Sequence, residues 1–398
     1  MPKAPAHLSF AVLLLLLAPA GAQKADQNAI PIRNPRTFTT NILAAERIPV
    51  GIREDYKPSI AKLPSGQLIL AGFFAPQRGG VPGEYIFIYR STDGGKTWSQ
   101  REELDLLGRE PFFSLLSDGT LLVTTHLLTS ARGNDDGYTQ SFVHRSTDSG
   151  VSWHSTQIGW QDMPGAASKA WIHTGRNAIE LDDGTVIFGV SAKGGPDLIW
   201  QSKDRGRSWS NFPCSFEGVN TSDLWWPFWA ETFLWETRSG ELLGLWRVDQ
   251  KIFPLPGVET SQKTIDHYER LIVWRSKNGG RNWTREPELG SYEGEMYPSV
   301  LRLNDGRLLL TYTVRAAVGP NEGPLGVRAV LGRESETGFQ FDFKQDVIML
   351  DTRTPAEVPS GGGFGPTVQL DDGTLVTAYS YRSADKKHQV EVVRWRLP

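Results

Sequence analysis

A single cysteine, Cys214, stands in 398 residues. One cysteine makes no internal disulfide and offers no Cys pair to a metal, so the fold must rest on its own apolar core. Excess charge is also lacking. The 42 Lys and Arg nearly balance 45 Asp and Glu, for a net −3. Nothing here supplies the basic surface that nucleic acid or an anionic membrane attracts. Past the N-terminal segment no apolar run is long enough to span a bilayer. There is no amphipathic helical pattern, no long linker and no low-complexity stretch. H-E-x-x-H, G-x-S-x-G, the phosphate-binding loop and the dinucleotide fingerprint are all missing. The histidines His126, His144, His154, His173, His267 and His388 are scattered without metal-ligand spacing. No cofactor and no metal are expected.

Glycine (41), Phe (18) and Trp (14) are plentiful, which suits strands and turns. The chain opens with Met1-Pro-Lys3, a short apolar run over 11–17 and the small residues Ala18-Pro-Ala-Gly-Ala22. This pattern predicts a secretory signal peptide over 1–22 and a mature chain over 23–398, secreted or periplasmic.

Two repeated patterns set the architecture. The first is S-x-(D/N)-x-G-x-x-W. It occurs as Ser91-Thr-Asp93-Gly-Gly95-Lys-Thr-Trp98, then at Ser146 to Trp153, Ser202 to Trp209 and Ser276 to Trp283. The acidic or amide side chain can accept bonds from turn amides, glycine supplies a positive φ, and Trp plugs the hairpin against its sheet. The second pattern is an apolar pair, a turn ending in glycine and an apolar run. Its turn glycines are Gly66, Gly119, Gly184, Gly240, Gly306 and Gly373. Each reads as an inner hairpin. Six such units, with outer hairpins between them, predict an all-β chain forming a six-bladed β-propeller with Asp-box hairpins. The boxes are expected in units one, two, three and five, and a degenerate hairpin over 333–341 takes the next slot. The terminal strand over 390–397 should pair with a first strand over 38–43 to close the ring.

Asp-box hairpins in a six-fold ring behind a signal peptide resemble the sialidase (neuraminidase) superfamily, over nearly the whole mature chain. The resemblance implies a pocket at the ring centre and boxes on the rim that serve folding. It implies removal of terminal sialic acid by three arginines, a Tyr nucleophile assisted by Glu, and an Asp acid/base. Glu231 and Arg247 stand at the offsets of the family's Glu and second arginine. Arg328 resembles the third arginine, with Arg315 as its rival. Elsewhere the pattern departs. Tyr56 takes the first arginine's place, flanked by Arg53 and Lys57. Phe364 occupies the nucleophile's place, and Glu84 stands where the Asp belongs.

The residues eight to eleven positions before each turn glycine should face the central channel, and they are polar. They include Asp55, Tyr56 and Lys57; Arg109 and Glu110; His173 and Arg176; Glu231; Glu295 and Tyr297. Acids, arginines and tyrosines beside Trp171, Trp225, Trp226 and Trp229 make a cleft suited to a sugar bearing a carboxylate or sulfate. The Trp225–Trp229 cluster is either a sugar platform or core. Glycoside hydrolysis needs two groups across the bond, and Glu231 with Glu110 is the first candidate pair. Tyr297 beside Glu231 is a candidate nucleophile displaced by one unit, and His173 is a candidate base. Three functions stay open: an exo-glycosidase for terminal acidic sugars, a non-catalytic glycan- or protein-binding propeller, and a uronate lyase. The sequence does not set the oligomeric state.

Overall fold

A computed structural model describes residues 28–33, 40–74, 85–129, 131, 134–221, 228–249, 269–287, 295–315, 325–343, 346–354 and 362–397. The expected signal peptide, Glu84 and the pair Trp225–Trp226 lie outside these residues. The described chain is all-β, with one short 3-10 turn at Trp160–Asp162.

Six groups of antiparallel strands follow one another along the chain. Unit one is Asp55–Lys62, Leu68–Phe74, Tyr85–Ser91 and Glu102–Leu104. Unit two is Arg109–Leu115, Leu121–Leu127, Gln140–Ser146 and His154–Ile158. In unit three a split inner edge, Ile172–Thr174 and Ile179–Glu180, precedes Val186–Ala192, Asp197–Ser202 and Ser210–Pro213. Unit four is Phe233–Glu236, Leu242–Asp249, Glu269–Ser276 and Asn282–Arg285. Unit five is Glu295–Arg302, Arg307–Val314 and Gly326–Ser335, with Gly338–Phe341 and Val347–Met349 both paired to its third strand. Unit six is Gly363–Gln369, Leu375–Arg382 and His388–Trp395, completed by Thr40–Val50 from the N-terminal side. The terminal strand does pair with an N-terminal strand, but through Ala45 to Val50 rather than through 38–43, because Thr40 to Ala44 are taken up by Ala29–Arg33. The short strand Ala29–Arg33, unforeseen in the sequence, pairs with both Thr40–Val50 and Val347–Met349 and joins units five and six.

One expectation is corrected. The fourth box, Ser276 to Trp283, belongs to unit four, because Glu269–Ser276 pairs with Leu242–Asp249 of that sheet. The order of strands along the chain decides this, and the long insert between 249 and 269 had obscured it.

The apolar cores lie between units. Leu70 and Tyr89 of unit one pack with Val376 and Val392 of unit six. Ile69 and Ile88 pack with Val123 of unit two, and Leu122 of unit two with Phe188 of unit three. Ile199 packs with Trp246 and Trp274 of unit four, Leu245 with Leu310 of unit five, and Leu309 with Tyr379 of unit six. The middle strands of the units thus bury side chains on both faces, one toward each neighbour. A fully buried apolar side chain contributes about 1.5–3 kcal/mol.

The boxes tie the outer edges together. Asp93 Oδ1 accepts from the amides of Lys96 and Thr97 at 3.0 and 2.9 Å, and Ser91 Oγ accepts from Gly95 N at 2.8 Å. Asp148 and Asp204 repeat this geometry, and Asn278 accepts from Asn282 N. Arginines of the preceding unit bond the first three of these turns. Arg394 reaches Gly94 O at 2.9 Å, Arg90 reaches Ser149 O at 2.8 Å, and Arg145 reaches Arg205 O at 2.7 Å.

Candidate functional site

The first strand of four units carries a break in its ladder, and that of unit three is split in two. Nine residues before the turn glycines stand Lys57, Glu110, Gly175, Glu231, Tyr297 and Phe364. Five of these six have positive φ: 45° at Lys57, 54° at Glu110, 63° at Glu231, 57° at Tyr297 and 72° at Phe364. Register shifts mark bulges between Tyr56 and Ser59, Arg109 and Phe112, Met296 and Ser299, and Phe364 and Thr367. Pro58, Pro111, Pro298 and Pro366 fall inside them, where a missing N–H costs no ladder bond. A left-handed non-glycine residue costs on the order of 1 kcal/mol or more and persists only where its surroundings enforce it. Here the neighbouring units do so. Ser380 Oγ accepts from Lys57 N at 3.2 Å, Thr313 Oγ1 donates to Phe364 O at 3.2 Å, and Arg176 N donates to Thr232 O at 2.8 Å.

These bulges open onto a cavity of about 260 Å³, room for one sugar ring. Lys57, Glu110 and Tyr297 line it from the bulges themselves, and Glu231 from the turn before the first strand of unit four. Arg109, His173 and Arg176 join from the same first strands or the turn beside them, and Arg247 and Arg315 from the second strands or just beyond. Five cations thus face two carboxylates. Lys57 Nζ bonds Glu110 Oε1 at 2.6 Å, with Arg109 at 3.5 Å from the same oxygen. Arg247 bonds Glu231. Arg176 Nη2 lies between the acids, 3.9 Å from Glu110 Oε2 and 3.5 Å from Glu231 Oε1. Its Nε and Nη2 are buried without a hydrogen bond. Its guanidinium lies 3.8 Å from the Phe364 ring centre and 4.4 Å from that of Tyr297.

The field of these groups sets protonation. Burial alone would raise the Glu110 carboxyl, but Lys57, Arg109, His126 and Arg176 outweigh it and hold it well below the usual range. Tyr297 is pushed up by burial, with Arg315 opposing and Glu231 adding, so its hydroxyl keeps its proton. That hydroxyl accepts from Arg315 Nη1 at 2.8 Å. Burial lowers His173 well below the ordinary imidazole value, and His126 adds to this. Burial lowers His126 to about 4, with Glu110 pulling the other way. Both imidazoles are neutral at pH 7.

Of the residues singled out in the sequence, nine line the cavity: Lys57, Arg109, Glu110, His173, Arg176, Glu231, Arg247, Tyr297 and Arg315. Four do not. Arg53 is exposed and paired with Asp385. Tyr56 turns toward the seam between units one and six, stacked on His388 at 4.0 Å and packed on Phe73. Glu295 is buried opposite Val314. Arg328 sits in the third strand of unit five opposite Tyr312, so of the two rival arginines Arg315 is the one beside Tyr297. Trp226 lies outside the described residues. Phe228 and Trp229 are core, packed on Phe216 and Trp246.

Sequence reasoning passed over His126, Thr124 and Thr125, which also line the cavity. A signal was present. His126 follows Gly119 by the same seven residues that separate Arg247 from Gly240. Among the described residues no group of three His, Cys, Asp or Glu side chains is placed to hold a metal. No described helix is long and apolar enough to cross a membrane.

The fold is sialidase-like. No family model matches the sequence, and no curated protein is similar to it in sequence. Among solved structures it is similar to a protein of unknown function from Dyadobacter fermentans, at 20% identity and TM-score 0.64, over 89% of this chain and 98% of that one. It is similar to the intramolecular trans-sialidase of Ruminococcus gnavus, solved with oseltamivir carboxylate, at 15% identity and TM-score 0.57, over 86% and 94%. It is also similar to the NanB sialidase of Streptococcus pneumoniae at 12% identity and TM-score 0.56, over 88% and 70%.

Proposed function

We propose that this chain is a secreted six-bladed β-propeller that acts as an exo-glycosidase, hydrolysing terminal anionic sugars from glycans. One observation carries the reading. A pocket the size of one sugar ring gathers five cations around two carboxylates that Arg176 bridges. The excess positive charge suits a carboxylate or sulfate, and arginine forks recognise such groups in two-point fashion. Glu110 and Glu231 flank the space where positive charge builds on the anomeric carbon during glycoside cleavage. Their Arg176-facing oxygens are no farther apart than the sum of 3.9 and 3.5 Å. That span accommodates the carboxylate spacings of glycosidases. The inter-unit cores and the pairing of first with last strand support the closed propeller. The leader-like N-terminus supports export, and a soluble glycan is the partner expected of such a pocket.

A second reading has an observation of its own. A neutral imidazole pair and a protonated Tyr297 facing a cation-rich pocket also suit elimination from a uronate, with one group taking a proton and another giving one. A single screen separates the readings. Purified protein is incubated with fluorogenic sialosides, uronides and sulfated glycosides, and with uronate polysaccharides. Released fluorophore supports hydrolysis, and rising ultraviolet absorbance of unsaturated sugar supports elimination. Binding without turnover over the whole panel refutes both.

A further inference from the structure

We propose that His126 is the catalytic base of this pocket, the group that takes the proton from the attacking water. The inference rests on the glycosidase reading and assigns a residue to it. Four observations converge. His126 ends the second strand of unit two, opposite Arg109 in register, and lines the cavity. Its ring is 5.0 Å from that of His173, across the boundary between units two and three. The other proton-accepting side chains are engaged. Glu110 is bonded to Lys57, Glu231 to Arg247, and the Tyr297 hydroxyl accepts from Arg315. The His126 ring makes no side-chain hydrogen bond among the described residues and is only partly buried, whereas His173 is 2% exposed. A base must reach the proton it removes, and His126 is the basic group open to the cavity with its nitrogens uncommitted.

The step balances without further reagents. The water oxygen bonds to the anomeric carbon as the bond from that carbon to the aglycone oxygen breaks. The aglycone oxygen leaves with the electron pair of that bond and takes a proton from solvent. The proton lost by the water goes to the imidazole of His126, which returns it to solvent. Ionised Glu110, beside His126, favours the imidazolium that forms, while Lys57, Arg109 and Arg176 oppose it and return the base to neutrality.

The test uses the whole protein and the glycoside that the wild type hydrolyses best. His126→Gln should lower kcat about 100-fold or more. It should leave the affinity for D-glucuronate, measured by calorimetry, within about threefold. The acidic limb of the wild-type pH–rate profile should vanish, and added imidazole should restore part of the rate. His173→Gln should lower the rate less than His126→Gln does and should keep the acidic limb of the pH–rate profile. Diethyl pyrocarbonate should label His126 ahead of buried His144, and D-glucuronate should protect it. Wild-type rate in His126→Gln, or a loss confined to His173→Gln, overturns the assignment while the glycosidase reading stands. Wild type that neither binds D-glucuronate nor cleaves any glycoside overturns the reading, and the assignment with it.

Discussion

Replacing Lys57 by Met tests the central electrostatics. Lys57 and Glu110 are buried together, with side chains only 5% and 8% exposed, and their contact is 2.6 Å. Removing one partner of a buried pair typically costs about 3–5 kcal/mol, because the other charge stays behind without compensation. Arg109 at 3.5 Å and Arg176 at 3.9 Å still face Glu110, so the loss should sit at the lower end, about 3 kcal/mol. The Met side chain keeps most of the volume, and only charge is lost. Urea unfolding followed by tryptophan fluorescence measures it. The double variant Lys57→Met/Glu110→Gln should recover most of the loss, since it leaves no orphaned charge. The pH dependence has a definite sign. Glu110 is held well below its ordinary value in the folded protein. Its contribution is therefore present above the unfolded carboxyl value of about 4.3 and is lost as pH falls through the folded one. Without Lys57 that folded value rises, so the gap between variant and wild type should narrow below about pH 4. A single-variant loss under about 1 kcal/mol, or a double variant no more stable than Lys57→Met, would refute the reasoning.

Phe364→Leu removes one face against which Arg176 is stacked. A desolvated cation–π contact of about 1–2 kcal/mol should weaken D-glucuronate binding roughly 5- to 30-fold, and loss of a buried ring packed on Tyr297 and Phe112 should lower stability by about 1 kcal/mol. Calorimetry and a urea titration of the same sample check both halves. Asp148→Ala strips the second box of an acceptor for the amides of Val151 and Ser152. It should cost about 1 kcal/mol in urea unfolding while turnover stays unchanged, because the box is a rim turn far in sequence from every cavity residue of unit two.

Much of the fold was legible because it repeats. The Asn or Asp of a box has one geometric use, accepting turn amides, and the four boxes adopt it. The six glycine turns predicted the inner hairpins, and each glycine takes a positive φ. The fourth box was misplaced because its sheet is interrupted by the insert between strands two and three. The ring positions were legible as a window rather than as residues. Tyr56 and Lys57 are neighbours, yet only Lys57 enters the cavity, because a bulge at Lys57 changes which side chain faces inward. No local propensity announces that bulge. It is held by bonds from the next unit, such as that between Lys57 N and Ser380 Oγ, 323 residues away. His126 was missed for a related reason. A lone histidine at a strand end carries no motif, and only the register of its strand against Arg109 brings it to the pocket.

The sequence by itself determined the strand-and-turn grammar: hairpins at six glycines, boxes at four, and a polar ring where an apolar one would be ordinary. Those are short-range matters of dihedral preference and side-chain chemistry. The tertiary structure decided which polar residues meet. It brought Glu110 and Glu231 within 4 Å of the same nitrogen of Arg176, put Arg315 rather than Arg328 on Tyr297, and left His126 lining the cavity. Several of those pairings join units dozens of residues apart, and their energies depend on burial and on distances of a few ångströms, which exist only once the chain has folded.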